Sequence, residues 1–309
     1  MILCCGEALI DMLPVTAADG RAAYAPHAGG AVFNTAIALG RLGAPAGFFS
    51  GVSNDQFGGL LADELAASQV DASLLARSDR LTTLAVVHLK DGQATYTFYD
   101  ENSAGRMLSV DDLPPGPVNA TAMFFGGISL PQEPCGDAYA ALLAREADDK
   151  VIMVDPNIRP AFIADERRYR DRLTGMLARA DIVKASDEDL AWLFGKGEES
   201  GVAKLLELGP KLVLVTRGGD GASGYHQDGW CAKTSSLPVR VVDTVGAGDT
   251  FNAGVLAQLY ADGCLTKLAL AEIGEAMLTR ALAKGAEAAA VTVSRAGANP
   301  PWTHELDAG

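Results

Sequence analysis

Residues 243–251, Asp243-Thr244-Val245-Gly246-Ala247-Gly248-Asp249-Thr250-Phe251, run into an apolar helix-forming stretch, Asn252–Tyr260. Small residues at Gly246, Ala247 and Gly248 leave backbone N–H groups bare at the positive end of that helix, and such an end cradles an anion. Asp249 falls in the same first turn. It can cap the helix, a role that contributes about 1 kcal/mol. It can equally be a general base. An acid beside an anion cradle repels a phosphate that simply rests there, yet it is well placed to take a proton from a hydroxyl attacking that phosphate. The motif alone leaves both roles open.

Two other phosphate-binding patterns fail. No G-x-x-x-x-G-K-S/T occurs, so this is not a P-loop protein. Gly219-x-Gly221-x-x-Gly224 has the glycine spacing of a dinucleotide fingerprint, but Tyr225-His226-Gln227-Asp228-Gly229-Trp230 follows it. That segment reads as a strand with an Asp-Gly turn where the fingerprint needs a helix. Gly246-x-Gly248-x-x-Phe251 lacks the third glycine. A nicotinamide oxidoreductase is the weaker class.

A second constellation lies near the N-terminus. Gly29-Gly30-Ala31-Val32-Phe33-Asn34 opens a helix that Gly40 and Gly43 close. Adjacent glycines let a ligand lie against bare backbone, and Asn34, one turn in, offers a hydroxyl both a donor and an acceptor. An ordinary glycine N-cap, with Asn34 bonded to backbone, is the alternative. Asp11 follows a strand, where its carboxylate can take two sugar hydroxyls. His27, His88, His226 and His304 are scattered, with no HExxH and no Cys/His cluster, which argues against zinc.

Placing these residues requires strands that alternate with helices. Strands are expected at Met1–Cys5, Gly47–Val52, Ala122–Phe125, Val151–Asp155, Ile182–Lys184 and Lys211–Thr216. Helices are expected at Ala31–Arg41, Phe57–Ser68, Gly136–Asp148, Arg168–Arg179, Glu188–Phe194, Gly201–Glu207, Ala247–Asp262 and Lys267–Lys284. This is the pattern of a mostly parallel sheet covered on both faces. Leu84–Leu89 and Thr95–Tyr99 break the rhythm: two β-rich runs around Lys90-Asp91-Gly92-Gln93, a hairpin signal. With Asp11–Tyr24 they look too polar and too short for the main sheet, and read as an accessory sheet. It is a lid over a site, a dimerisation surface, or a plain edge hairpin.

The balance of the 309 residues agrees with a globular α/β enzyme: hydrophobic residues are 49% and charged residues 21%. Lys+Arg is 25 against Asp+Glu 39, a formal charge of −14, which argues against a nucleic-acid binder. The start, Met1–Glu7, has no basic region, so no signal peptide is expected. No apolar stretch approaches the ~20 residues of a membrane span. Cys4 and Cys5 sit in an apolar run and none of the five cysteines shows CxxC spacing, so the cytoplasm is the expected compartment.

Together the segments resemble the ribokinase-like sugar kinases of the phosphofructokinase-B type. Gly29–Gly43 is similar to that family's N-terminal signature, Asp243–Gly254 to its C-terminal one, and Gly6-Glu7-Ala8-Leu9-Ile10-Asp11 to its opening strand. Asp155-Pro156-Asn157-Ile158-Arg159, Lys184-Ala185-Ser186-Asp187-Glu188-Asp189, Thr216-Arg217-Gly218-Gly219 and Val293-Ser294-Arg295-Ala296-Gly297-Ala298 follow in family order. Fructokinases are the subgroup most resembled, with 2-keto-3-deoxygluconate kinases next. The resemblance implies one ribokinase-like domain over 1–309: a three-layer α/β fold with a mostly parallel central sheet, and lid segments at about 11–25 and 82–103.

It also implies roles. Asp249 would be the base, with Gly246, Ala247 and Gly248 as the anion hole. Asp11, Gly29, Gly30, Asn34, Phe98 and Arg159 would hold the sugar. Lys184, Thr216, Gly218, Gly219 and Gly221 would bound ATP. Mg²⁺ would accompany the nucleotide, although the family's magnesium-linked Asn-x-x-Glu stands here as Ser186-x-x-Asp189. A monovalent cation, K⁺, would lie at Asp243, Val245, Thr292, Arg295 and Gly297, held largely by carbonyls. A homodimer through the lid is the alternative use of that sheet.

In the sugar-acid kinases an arginine follows the aromatic pair at the end of the second lid strand; here Phe98-Tyr99 is followed by Asp100. A free carboxylate there repels an acidic sugar by about 1 kcal/mol or more, unless it points to solvent. The reading that emerges is ATP-dependent phosphorylation of a neutral sugar, D-fructose at its 6-hydroxyl. The rivals are a 2-keto-3-deoxygluconate kinase and, from another class, a non-catalytic sugar-binding regulator.

Overall fold

Apolar runs of four or five residues, many of them β-branched, build the large sheet. The computed structural model describes residues 1–90, 93–195 and 197–306. In spatial order the nine strands are Cys231–Thr234, Ala222–His226, Leu212–Thr216, Ile182–Ser186, Val151–Asp155, Ala122–Gly126, Ile2–Cys5, Ala46–Phe49 and Val70–Asp71. From Leu212–Thr216 to Val70–Asp71 every pairing is parallel; the first two strands form an antiparallel edge. Such strands must be covered on both faces. Accordingly the core divides in two. One half packs under the helices Ala31–Arg41, Ala247–Ala261 and Glu275–Val293, with Phe33 edge-on to Phe48 at 5.6 Å. The other packs under Cys135–Glu146, Glu166–Leu177 and Glu198–Leu208.

A separate four-stranded sheet joins Ala22–Gly29, Leu9–Thr16, Leu84–Lys90 and Gln93–Tyr99, in that order. Two of its strands are eight residues long, longer than any in the large sheet. Polarity and exposure, not shortness, keep them apart. The Asp91-Gly92 turn lies outside the described residues.

Two expectations need correction. Gly47–Val52 is not one strand: Ala46–Phe49 and Gly51–Ser53 join different sheets, with the break at buried Ser50. Lys267–Lys284 is not one helix. Thr266 caps Lys267–Ala271 through the Ala269 N–H at 3.1 Å, and Glu275–Val293 starts afresh after Gly274. As expected, the glycine-rich stretch at 219–224 leads into a strand, Ala222–His226, and not into the helix that a dinucleotide fingerprint needs.

Among the described residues no helix is long and apolar enough to cross a membrane.

Candidate active site

The helix Ala247–Ala261 begins at Gly246, which adopts the left-handed conformation (φ 78°). A Cβ there would stand 2.7 Å from that of Ala298, so only glycine fits. The first-turn N–H groups have no intrahelical acceptor; that of Ala247 donates to the Thr244 carbonyl in the preceding turn at 3.3 Å. Asp249 does not cap this helix. Its Oδ2 instead accepts a 2.8 Å hydrogen bond from Asn34 Nδ2, and its backbone carbonyl accepts one from Thr35 Oγ1 at 3.3 Å. Burial pushes the Asp249 carboxyl up to about 7; the Asn34 bond and the Lys184 charge oppose this, and the Asp155 and Glu7 charges reinforce it. The geometry speaks against the capping role, and a carboxyl held near 7 has the proton affinity of a base at neutral pH.

Asn34 is likewise not bonded to backbone as a cap residue would be. Its amide points across to Asp249, with one N–H already used. Asp11 lies against Gly29, where a Cβ would be 2.2 Å from Asp11 Oδ2; burial raises the Asp11 carboxyl to about 6. Asp11 and Asn34 line a pocket of about 440 Å³, with Tyr96 on its far wall. Phe98 and Arg159 line an adjoining pocket of about 820 Å³, which also includes Tyr96. Of the expected sugar residues, Asp11 and Asn34 therefore face one cavity and Phe98 and Arg159 another, with Tyr96 as their shared wall, while Gly29 and Gly30 line neither. Tyr96 was missed, although its position two residues before Phe98 puts both rings on one strand face, where they stack at 6.0 Å.

Thr216, Gly218, Gly219 and Gly221 do come together. They form one wall of an apolar groove of about 450 Å³, whose other walls are Leu237–Val239, Val241 and the small residues Ala286, Ala289 and Ala290. Ala247 and Gly248 close its end, so the groove runs up to the anion cradle. Lys184 is not in the groove wall. It is buried beneath the cradle, 3.4 Å from where a Cβ on Gly248 would lie, and pairs with Asp155 at 3.0 Å. Asn252 donates to the same carboxylate oxygen at 2.7 Å. This buried pair, together with Asn252, was not legible in the sequence.

The expected cation residues are also gathered. Asp243 accepts from the Val245 N–H at 3.0 Å and from the Gly297 N–H at 2.9 Å, tying the loop before the helix to the loop after Val293. Thr292 is buried and bonds Thr250 through its hydroxyl, while the Arg295 side chain turns away to Glu305. Their side chains are thus engaged elsewhere, and the Thr292 carbonyl also accepts from the Arg295 N–H at 3.0 Å. Ser186-x-x-Asp189 is a capping box. Asp189 Oδ2 accepts from Ser186 and Oδ1 from the Ile158 N–H, so both oxygens are spent on protein donors. Among the described residues no three His, Cys, Asp or Glu side chains cluster as a metal site.

Asp100 departs most from expectation. It lines the pocket of about 820 Å³ together with Phe98 and Arg159, but as a carboxylate already engaged by protein donors and not turned to solvent. It is buried, paired with Arg106 at 3.1 Å, and accepts from Gln132 Nε2 at 2.6 Å. The pair is close to neutral, so repulsion of an acidic sugar by Asp100 falls away as an argument.

A doubly covered parallel sheet, an anion cradle with a buried acid beside it, and a groove leading to that cradle define a phosphotransferase acting on a small hydroxyl compound. The chain belongs to the pfkB family of carbohydrate kinases, matching it over residues 1–305. It is 53% identical over 279 residues to a fructokinase of Rhizobium leguminosarum bv. trifolii, covering 90% of this chain and 85% of that one. Among solved structures it resembles the ATP-bound fructokinase of Xylella fastidiosa, with a TM-score of 0.89 and 27% identity over 99% and 97% of the two chains. It also resembles a Vibrio cholerae fructokinase double mutant holding fructose, ADP and a potassium ion; the TM-score is 0.85 and the identity 26%, over 99% and 97% of the chains.

Proposed function

We propose that this chain phosphorylates D-fructose at the 6-hydroxyl using ATP. One observation carries the reading: the uncapping, buried carboxylate of Asp249, bonded to Asn34 on the sugar side and adjoining the cradle that ends the groove. The identity of the sugar is supported by the 53% identical fructokinase. Asp11, Gly29 and Phe98 bind the sugar from the small sheet, Gly30 and Asn34 from the start of the helix Ala31–Arg41, and Arg159 from the turn after Val151–Asp155. That sheet is the lid of a single domain. The alternative use of the same sheet is as a face between two copies.

With ATP in the groove, Asp249 takes the proton from the 6-hydroxyl as its oxygen attacks the γ-phosphorus. The bond to the ADP oxygen breaks, and the N–H groups of Gly246, Ala247 and Gly248 receive the charge on the phosphoryl in transit. Lys184 acts from beneath the cradle. Mg²⁺, when bound, offsets the charge of the β- and γ-phosphates; Asp189 does not fit as its ligand, and the phosphates and water fit its usual preference. A monovalent cation would sit between the loops joined by Asp243 and would draw on the carbonyls of Val245, Thr292, Arg295 and Gly297, those of Thr292 and Gly297 sharing it with their backbone donors. K⁺ added at constant ionic strength should raise turnover several-fold over Na⁺ by fixing the Gly246–Gly248 N–H groups. Equal rates in K⁺, Na⁺ and a bulky organic cation would remove this ion from the mechanism.

A second reading, a 2-keto-3-deoxygluconate kinase, is favoured by one feature. Among the described residues Arg159 has no carboxylate partner, its guanidinium bonding only the Ile158 carbonyl, so it is available to an acidic sugar. The test is coupled ATP turnover on fructose, ribose, 2-keto-3-deoxygluconate, adenosine and fructose 6-phosphate. Fructose should give the highest kcat/KM. Preference for the sugar acid would replace the first reading with the second, and binding of fructose without any turnover would make the protein a sugar-binding regulator.

The pH dependence follows from the two carboxyls. Asp249 must be ionised to accept a proton, so kcat/KM should be level above its pKa of about 7 and fall with one proton below it. Asp11 protonates at about 6, so the slope should steepen towards two protons beneath that pH. A profile level down to pH 5 would show that neither group needs its charge.

A further inference from the structure

Glu7 follows the strand Ile2–Cys5 at the carboxyl edge of the large sheet, and only 9% of it is exposed. Its Oε1 accepts from the Ala31 N–H at 3.0 Å and its Oε2 from the Ser129 N–H at 3.3 Å. Ala31 is the first residue of the helix that carries Asn34, and Gly30 gives that helix no side-chain cap. The missing cap is supplied by Glu7, from 24 residues away. On its other side the turn 127–129 folds directly onto the carboxylate: Gly127 has φ +74°, and a Cβ there would meet Glu7 Oε1 at 2.1 Å. A negative charge at a helix N-terminus is favourable and, when buried, holds that end firmly.

The consequence reaches the chemistry through two contacts already described. The Ala31–Arg41 helix presents Asn34 to the Asp249 carboxylate and Thr35 to the Asp249 carbonyl. Beyond the turn 127–129, Gln132 holds Asp100 at the exit of the small sheet. We propose that Glu7 is a positioning residue of the sugar site: its carboxylate pins the start of the Ala31–Arg41 helix to the turn 127–129, and so sets where Asn34 and Asp249 stand. The proposal rests on the sugar-kinase reading given above.

The charge of Glu7 has its own signature. It is among the groups that raise Asp249, after burial and Asp155 and against Asn34 and Lys184. Burial raises the carboxyl of Glu7 itself, while the Ser129 and Ala31 donors hold it down. Cys135 and Tyr139 are its remaining titratable neighbours; both are pushed up by burial and stay neutral. Removing the charge should therefore make Asp249 more acidic, an effect that loosened packing would not produce.

The experiment compares Glu7→Gln and Glu7→Asp with the wild type in full pH profiles, with fructose and ATP varied separately. Glu7→Gln loses the charge and turns an N–H of its own towards one of the two donors. The fructose KM should rise about tenfold, the worth of a charge-assisted hydrogen bond. The ATP KM should hold, because the groove is built from residues 216–293. The acid limb of kcat/KM should move to lower pH. Glu7→Asp keeps the charge but is too short to span both donors, so its fructose KM should rise while the limb stays.

Unchanged fructose KM in both variants overturns the proposal, as does an equal rise in both KM values. If Glu7→Gln does not fold, the selective rise in Glu7→Asp decides. An Asp249→Asn variant that keeps turnover would defeat the base assignment, yet leave the fructose KM test of Glu7 standing.

Discussion

Asp249→Asn should leave the fold and most fructose affinity in place and lower kcat by about 10²–10⁴-fold, the usual contribution of a positioned base. Asparagine matches aspartate in shape, and its amide oxygen can still accept from Asn34 Nδ2, so the link between the helices Ala31–Arg41 and Ala247–Ala261 survives. What disappears is the group whose carboxyl burial raises to about 7. The residual activity should lose the acid limb near pH 7, because the proton that limb reports is gone. The measurement is a coupled assay at saturating fructose and ATP, with fructose binding followed separately by calorimetry. Retention of more than a tenth of the wild-type rate would reduce Asp249 to an anchor for Asn34.

That motif was legible because its parts are contiguous. Small residues, an acid and a helix within nine positions state their geometry directly, and the helix Ala31–Arg41 starts after Gly30 and stops before Gly43, although Gly40, also expected to close it, lies inside it. The parallel sheet was legible for a similar reason: its strands are short apolar runs, all but the two-residue edge strand Val70–Asp71, which was not expected. The missed features join distant segments. Lys184 meets Asp155 across 29 positions, Asn252 meets Asp155 across 97, and Asn34 meets Asp249 across 215. Nothing in local spacing forecasts which buried charge will find which partner. The helix at 267–284 was misjudged because the apolar pattern continues through Glu272-Ile273-Gly274, whereas the chain turns there.

The sharpest such case is Asp100, and it sets the second large effect. Its side chain is 12% exposed and that of its partner Arg106 34%. Asp100→Arg would put two guanidinium groups where an ion pair and the Gln132 amide now meet. Breaking one side of a buried pair costs about 3–5 kcal/mol, and the partial exposure of Arg106 points to the lower end of that range. At roughly 2–4 °C per kcal/mol for a chain of this size, Tm should fall by several degrees to about ten. Arg106→Asp should act similarly. The charge-swapped double variant should recover at least half of the loss, since a pair of the same sense of attraction is restored and the Gln132 amide can present its oxygen instead of its nitrogen. Thermal melts of the four proteins form the cycle, and additive losses would show that the pair is not what fixes this corner. The same four proteins test substrate choice. With Asp100 neutralised by Arg106, the ratio of kcat/KM for fructose over 2-keto-3-deoxygluconate should be the same in the swapped variant as in the wild type. A swing towards the sugar acid in that variant would mean that the charge at position 100, which lines the pocket of Phe98 and Arg159, acts on the sugar in spite of its pairing, and that charge, not architecture, selects the acceptor.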